Sequence, residues 1–167
     1  MRELLKRHES PLLRYAARIT GSEELAREVV QDTFCRLCAQ PREKVKGHEA
    51  EWLFTVCRNR ALDVRRKEGR MQTGDAVLAA QPSSAPAPAS VAEGKEAVSQ
   101  VLSVLDTLPA NQREVVLLKF QGGLSYKEIA KVTELSVSNV GYLLHAALKT
   151  LRGRWGAAPV PAVRRQA

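Results

Sequence analysis

Apolar residues recur along this chain at helical spacing, in blocks broken by Gly, Pro and small polar residues, and these blocks predict an all-α protein. The sharpest block runs from Leu124 to Leu151. Ser125 with Glu128 three residues on forms a capping box, which starts a helix with Ile129, Ala130 and Val132 on its buried side. Thr133-Glu134-Leu135 makes a turn, and Ser136 caps a second, longer helix. At about 100° per residue, that helix gathers Val137, Val140, Leu144, Ala147, Leu148 and Leu151 on one side. Ser138, Gly141, Tyr142, His145, Lys149 and Arg152 are left for the polar front. A short helix, a tight turn and a helix with an apolar back and a small polar front is the helix-turn-helix pattern, whose second helix lies in the DNA major groove. An ordinary helical hairpin in a bundle shares much of this pattern.

Earlier in the chain, Leu4 to Thr20 reads as a helix that Pro11 threatens to kink or break. Gly21 ends it and Ser22 restarts the chain. From Ser22 to Ala39, Ala26, Val30, Thr33, Phe34 and Leu37 gather on one face. The opposite side places Leu25 and Val29 beside Glu28, Gln31, Asp32 and Cys35. That surface is either a solvated face with two scattered apolar residues or a protein-binding patch. A basic loop from Pro41 to Gly47, with Lys44 and Lys46, leads into a helix over His48 to Arg70. Trp52, Leu53, Val56, Cys57, Ala61 and Val64 form its apolar face; Arg58, Asn59, Leu62, Arg65 and Arg66 lie opposite, and Arg60 intrudes on the apolar side within reach of Asp63. Six basic residues between Arg58 and Arg70, with Asn59 among them, suit phosphate contacts with some base reading, although a solvated helix face can be equally basic.

Residues 71–95 change character, with Q-P-S-S-A-P-A-P-A-S at their centre, which is the composition of a flexible linker. About 25 such residues average roughly 25 to 30 Å and extend to about 75 Å, while two turns of DNA span about 70 Å. After it, Val98, Val101, Leu102, Leu105 and Leu108 mark a helix ending at Pro109. Asn111 to Gln121 forms another, with Val115, Leu118 and Phe120 facing inward, and Gly122-Gly123 breaks it. The expected organisation is therefore two small helical domains, 1–70 and 96–153, joined by a flexible linker over 71–95 and followed by a disordered tail over 154–167. A C-terminal core this small is marginal by itself, and docking onto a partner would add to its stability.

Charge narrows the class of partner. The chain of 167 residues carries a formal +8, distributed as +5 over residues 1–70, −2 over 71–100 and +5 over 101–167. Two basic lobes around an acidic link point to nucleic acid rather than to an anionic membrane, since no long basic amphipathic stretch with aromatic anchors is present. No apolar run approaches a membrane span, the N-terminus lacks a signal peptide's apolar core, and a cytoplasmic location is expected. There is no phosphate-binding Gly loop, no H-E-x-x-H and no nucleophile with its base, so neither catalysis nor a cofactor is expected. Cys35-x-x-Cys38 lacks a second pair of ligands at metal spacing, with Cys57 and three His residues elsewhere, and reads as structural thiols.

The motifs in order are E-E-L-A-R-E-V-V-Q-D-T-F, then E-W-L-F-T-V-C-R-N-R-A-L-D-V-R-R, a Pro/Ala/Ser linker, and L-P-A-N-Q-R-E-V-V-L-L-K-F-Q-G-G-L-S-Y-K-E-I-A. Together they resemble a bacterial RNA polymerase sigma factor of the extracytoplasmic-function group, sigma-70 family, from about Leu4 to Arg152. The resemblance implies that Leu25, Glu28, Val29, Gln31 and Asp32 dock on the beta-prime clamp helices of core RNA polymerase, with the beta flap as a further contact. It implies that Lys44, Lys46, Arg58, Asn59, Asp63, Arg65 and Arg66 lie at the single-stranded minus-ten element of promoter DNA. It places Ser136, Ser138, Asn139, Tyr142, His145 and Lys149 at the minus-thirty-five element, with Arg113, Lys119 and Lys127 on phosphates. It also admits an anti-sigma factor as a partner.

The chain departs from the family in its second helix-turn-helix helix, which usually resembles S-x-x-T-V-K-S-R-L-x-R-A. Here it reads S-V-S-N-V-G-Y-L-L-H-A-A, so Gly141, Leu143 and Ala146 replace three basic residues. Each lost phosphate contact should flatten the salt dependence of binding by about 0.9. Arg60 stands where the family usually has an aliphatic residue. Two other classes compete with this reading. A stand-alone helix-turn-helix regulator would need neither the Glu28 to Asp32 patch nor the Trp52 to Arg66 pattern, and a thiol-based redox or metal protein would rest on the cysteines alone.

Overall fold

A computed structural model of the chain describes residues 2–72 and 103–155, and these residues are helical with no strand among them. Helix α1 is Arg2–Thr20, α2 is Glu23–Ala39, a 3-10 turn spans Arg42–Lys44, and α3 is Glu49–Gln72. After the helical residues 103–106 come α4 (Ala110–Phe120), α5 (Tyr126–Thr133) and α6 (Val137–Trp155). The expectations placed on 73–102, including Val98, Val101 and Leu102, and on 156–167 fall outside the described residues.

The helix signals hold where capping chemistry sets them. Gly21 leaves α1 at φ +73, and the Ser22 hydroxyl accepts the Leu25 N–H at 3.4 Å to open α2. The capping box forms in full: Ser125 Oγ accepts the Glu128 N–H at 3.3 Å while Glu128 Oε2 accepts the Ser125 N–H at 2.7 Å. Pro11, in contrast, does not break α1. Its ring removes one ladder donor at a cost of about 3 kcal/mol, and the full burial of Leu12, Tyr15 and Ala16 just beyond it outweighs that loss.

Helices α1, α2 and α3 pack on one another as the first lobe; α4, α5 and α6 form the second. A side cluster of Leu105, Leu108, Val116, Leu117, Ala147 and Leu151 straps residues 103–108 onto α4 and α6. The main core does not stop at either lobe. It runs without interruption from Leu12, Phe54 and Ala61 to Val115, Leu118, Leu124 and Ile129, so the two lobes close on each other with α5 lying along α3. Phe54, buried and edge-on to Tyr15 with ring centroids 5.4 Å apart, stands at this seam. The second lobe reaches it through Gly122, where a Cβ would lie 3.1 Å from Phe54 Cε2 and 2.7 Å from the Leu118 carbonyl oxygen. Only glycine allows that approach.

Val29, Phe120 and Val137 differ from their sequence-based placement. Val29 is buried rather than on the docking face, because α2 is held between α1 and α3 and its apolar arc widens to include both Val29 and Val30. Phe120 is 63 % exposed: around the helix axis it lies between Val116 and Leu117, but it is past the small cluster those residues fill. Val137, the first residue of α6, is 45 % exposed, one turn before the helix enters the core at Val140.

Candidate docking and nucleic-acid surfaces

The α2 surface keeps Glu28 and Gln31 exposed and Leu25 and Asp32 half-buried, with Val29 withdrawn into the core. Asp32 is not a free carboxylate. Its Oδ2 accepts from Arg36 Nε at 3.1 Å and forms an ion pair with Arg60, whose Nε lies 3.2 Å away. This accounts for Arg60, whose guanidinium crosses from α3 to α2 and ties the helices together. Asp63 instead pairs with Arg66 at 3.5 Å. Beside this surface an open groove of about 680 Å³ between α1 and α2 is lined by Leu13, Arg27, Gln31, Phe34, Cys35 and Cys38.

On the basic side, Lys44 and Lys46 are exposed on either side of buried Val45, which anchors the loop like a peg. Asn59, Asp63, Arg65 and Arg66 are exposed along α3. Arg58 is not among them. It turns into the seam between the lobes, where its Nε donates to Glu114 Oε1 at 2.8 Å, and the Tyr15 hydroxyl donates to the same oxygen at 2.7 Å. Burial in the first place, and then the Glu114 carboxylate, raises the Tyr15 phenol well above its usual range.

The helix-turn-helix is formed as its sequence indicates. Ile129, Ala130 and Val132 are buried, Glu134 turns the chain in the left-handed region at φ 59, and Ser136 Oγ accepts the Asn139 N–H at 3.1 Å. That bond commits the Ser136 hydroxyl to the cap. Ser138, Asn139, Tyr142, His145 and Lys149 are exposed along α6, and Tyr142, at 69 %, is the most exposed of the large hydrophobic side chains among the described residues. Of the three replaced basic positions, Leu143 is a core residue, only 5 % exposed, so it fills the lobe interior instead of facing outward. Gly141 lies under Tyr126, whose ring a Cβ would meet at 3.7 Å.

The phosphate candidates divide. Lys127 is exposed. Arg113 binds the Asp106 carboxylate at 3.4 Å and the carbonyls of Asp106 and Leu108 at 3.2 Å, closing the strap of residues 103–108. Lys119 caps the Leu124 carbonyl at 3.2 Å and sits over the Tyr126 ring at 5.4 Å. Sequence reasoning passed over Phe54, Glu114 and Tyr126, all of which act between elements that it treated separately.

Cys35 and Cys38 are exposed; Cys57 is buried, and burial, opposed in part by a hydrogen bond with Thr33, pushes its thiol up to about 12. Among the described residues no group of three or more His, Cys, Asp or Glu is placed to hold a metal, and no helix is long and apolar enough to cross a membrane.

Comparison with known proteins matches residues 4–71 to Sigma-70 region 2 and residues 99–151 to Sigma-70, region 4. The ECF RNA polymerase sigma factor SigL of Mycobacterium tuberculosis is 33 % identical over 158 residues, which cover 91 % of this chain and 86 % of that protein. SigM of Bacillus subtilis, also an ECF RNA polymerase sigma factor, is 27 % identical over 152 residues, covering 90 % of this chain and 91 % of that one. Among solved structures, CnrH in complex with the cytosolic domain of CnrY aligns with a TM-score of 0.60 at 25 % identity, over 94 % of this chain and 88 % of that one. The sigma factor RpoE, solved with the anti-sigma factor NepR from Bartonella quintana, shares the fold at a TM-score of 0.69 and 24 % identity, over 95 % of this chain and 97 % of that one.

Proposed function

The chain belongs to the extracytoplasmic-function group of the sigma-70 family, and from that premise we propose how its two lobes divide the work of a sigma factor. It binds core RNA polymerase and directs promoter recognition and transcription initiation; its part is to position an enzyme on DNA. Residues 1–70 form the polymerase-docking and minus-ten domain, 71–95 the linker, and 96–153 the minus-thirty-five domain. Leu25, Glu28, Gln31 and Asp32 present the docking face on α2, held at a fixed angle to α3 by the Asp32–Arg60 ion pair. Lys44, Lys46, Asn59, Asp63, Arg65 and Arg66 track the opened strand together with Arg58. An exposed cationic row with an amide at its centre suits a backbone that must be held while its bases are splayed out and read. On α6, Ser138, Asn139, Tyr142, His145 and Lys149 face the major groove, with Lys127 on phosphate.

Family membership displaces the stand-alone regulator. The cytoplasm, where polymerase works, is the proposed location. An anti-sigma factor is a further proposed partner, a reading supported by the similar CnrH, which was solved bound to a cytosolic protein domain.

The observation that carries the docking assignment is the pair of exposed polar side chains, Glu28 and Gln31, on a helix whose other faces are spent on α1 and α3. Co-elution with bacterial core RNA polymerase on a sizing column tests it. Wild-type chain joins the polymerase and Glu28→Arg weakens the complex at least about tenfold, the scale of an interface charge worth roughly 1.4 kcal/mol or more. Equal co-elution of both proteins would remove α2 from the interface.

A further inference from the structure

Arg58 contributes nothing to the outer cationic surface while the lobes are closed, because a carboxylate from the other lobe already holds it. We propose that Glu114 acts as a built-in lock: it occupies the Arg58 guanidinium in place of a strand phosphate, so the closed chain masks part of its own minus-ten surface until single-stranded DNA displaces it. The inference rests on the reading of Arg58 as a strand contact.

The geometry is that of an anion site filled from within. Arg58 on α3 and Tyr15 on α1 both donate to one oxygen, Glu114 Oε1, at 2.8 and 2.7 Å. Tyr15 is 2 % exposed, and the Arg58 and Glu114 side chains are 19 % and 23 % exposed, so the cluster is largely withdrawn from water, where charge-assisted bonds are strongest. Carboxylate and phosphate offer a guanidinium similar acceptor geometry, and the two compete for it. A second acid of the same lobe does likewise: Asp106 pairs with Arg18 of α1. On the far side the polarity reverses, with Lys131 Nζ 3.0 Å from Glu51 Oε2. Two of these three closing pairs thus set second-lobe acids against first-lobe cations.

The promoter task requires this seam to part. Elements about two DNA turns apart are separated by about 70 Å, whereas the closed chain holds Arg58 of one lobe and Glu114 of the other in direct contact. A strand that takes Arg58 from Glu114 removes the central tie of the closed form, which couples binding at the minus-ten surface to release of the second lobe.

The Glu51–Lys131 pair supplies a direct readout on the full chain, because a zero-length carbodiimide joins a carboxylate and an amine only when they touch. Peptide mass spectrometry then reports the Glu51–Lys131 amide. Wild type forms it, and excess oligothymidylate, which engages such surfaces without sequence preference, suppresses it. Glu114→Ala lowers the yield and tightens oligothymidylate binding, each by about fivefold or more, the lower end of typical coupling between sites. The exchanged pair Arg58→Glu with Glu114→Arg restores the cross-link without the gain in DNA affinity. If Glu114→Ala loses its helical circular dichroism, Glu114→Gln and Tyr15→Phe carry the same test with smaller changes in the same direction. An unchanged cross-link in these variants overturns the lock. A lost cross-link with unchanged DNA affinity overturns the masking, and Arg58→Ala placed in the opened variant then shows whether the reading of Arg58 as a strand contact has failed as well.

Discussion

The two lobes are built to different standards of independence. The first has helices of 19, 17 and 24 residues wrapped around a common interior, while the described residues of the second form helices of 11, 8 and 19 residues beside the helical stretch 103–106. In the second lobe, α4 buries four consecutive residues, Val115 to Leu118, which no single helix face can do. It buries them because neighbours lie on opposite sides, with part of the main core on one side and the α6 cluster on the other. A small domain short of interior surface gains stability from whatever covers it. Here the cover is the first lobe of the same chain, and the same seam holds the Arg58 guanidinium on Glu114.

Phe54→Ala should break this comparison most severely. Removing a fully buried aromatic at the seam costs about 3 to 5 kcal/mol, and chemical denaturation should show second-lobe probes losing stability along with first-lobe probes. Loss confined to the first lobe would mean that the lobes are energetically separate. Next comes Gly122→Ala, whose Cβ would meet the Leu118 carbonyl oxygen at 2.7 Å and Leu124 Cδ1 at 2.5 Å. Overpacking of this kind costs about 1 to 3 kcal/mol, and it should lower the midpoint of thermal unfolding and the Glu51–Lys131 cross-link together. Gly141→Ala works in the opposite direction. Its Cβ finds ordinary contact with Tyr126, so the helix gain of about 1 kcal/mol should appear as a higher midpoint. A fall would show that α6 needs glycine there for another reason.

The smallest effect is a dependence on alkaline pH. Tyr15 has a folded-state pKa raised above the ordinary 10.0, so the unfolded chain loses this proton first. Its contribution is fully present below pH 10 and declines as the pH rises from there toward the folded value. Denaturation midpoints measured from pH 9 upward should therefore fall more steeply in wild type than in Tyr15→Phe, and equal slopes would detach Tyr15 from the seam's electrostatics.

What was legible in the sequence follows from the range of the forces involved. The capping box at Ser125, the Gly21 stop, the Ser136 cap and the apolar back of α6 at Val140, Leu144 and Ala147 depend on neighbours within a turn or two, and their residue types announce them. Phe54 and Glu114 were not legible, because their partners across the seam, Gly122 for Phe54 and Arg58 for Glu114, lie 56 or more residues away in sequence. Nor was the role of Arg60, an intruder on an apolar stripe until Asp32 of another helix comes within 3.2 Å. Val29 shows the same limit from another side: a periodicity argument assigns one buried stripe per helix, and α2 has neighbours enough for a wider one. For the candidate site, the exposed cations of the loop and α3 were readable as a row. Which member of that row is already occupied depends on tertiary contact alone.

A lock between the lobes requires them to be closed in the free chain and parted on promoter DNA. The most direct test is the carbodiimide cross-link between Glu51 and Lys131, measured on the free full chain and again on the chain bound to core polymerase with promoter DNA. A strong cross-link in the free chain that disappears in the complex is the predicted result. Equal yields in the two states, or none in the free chain, would contradict it.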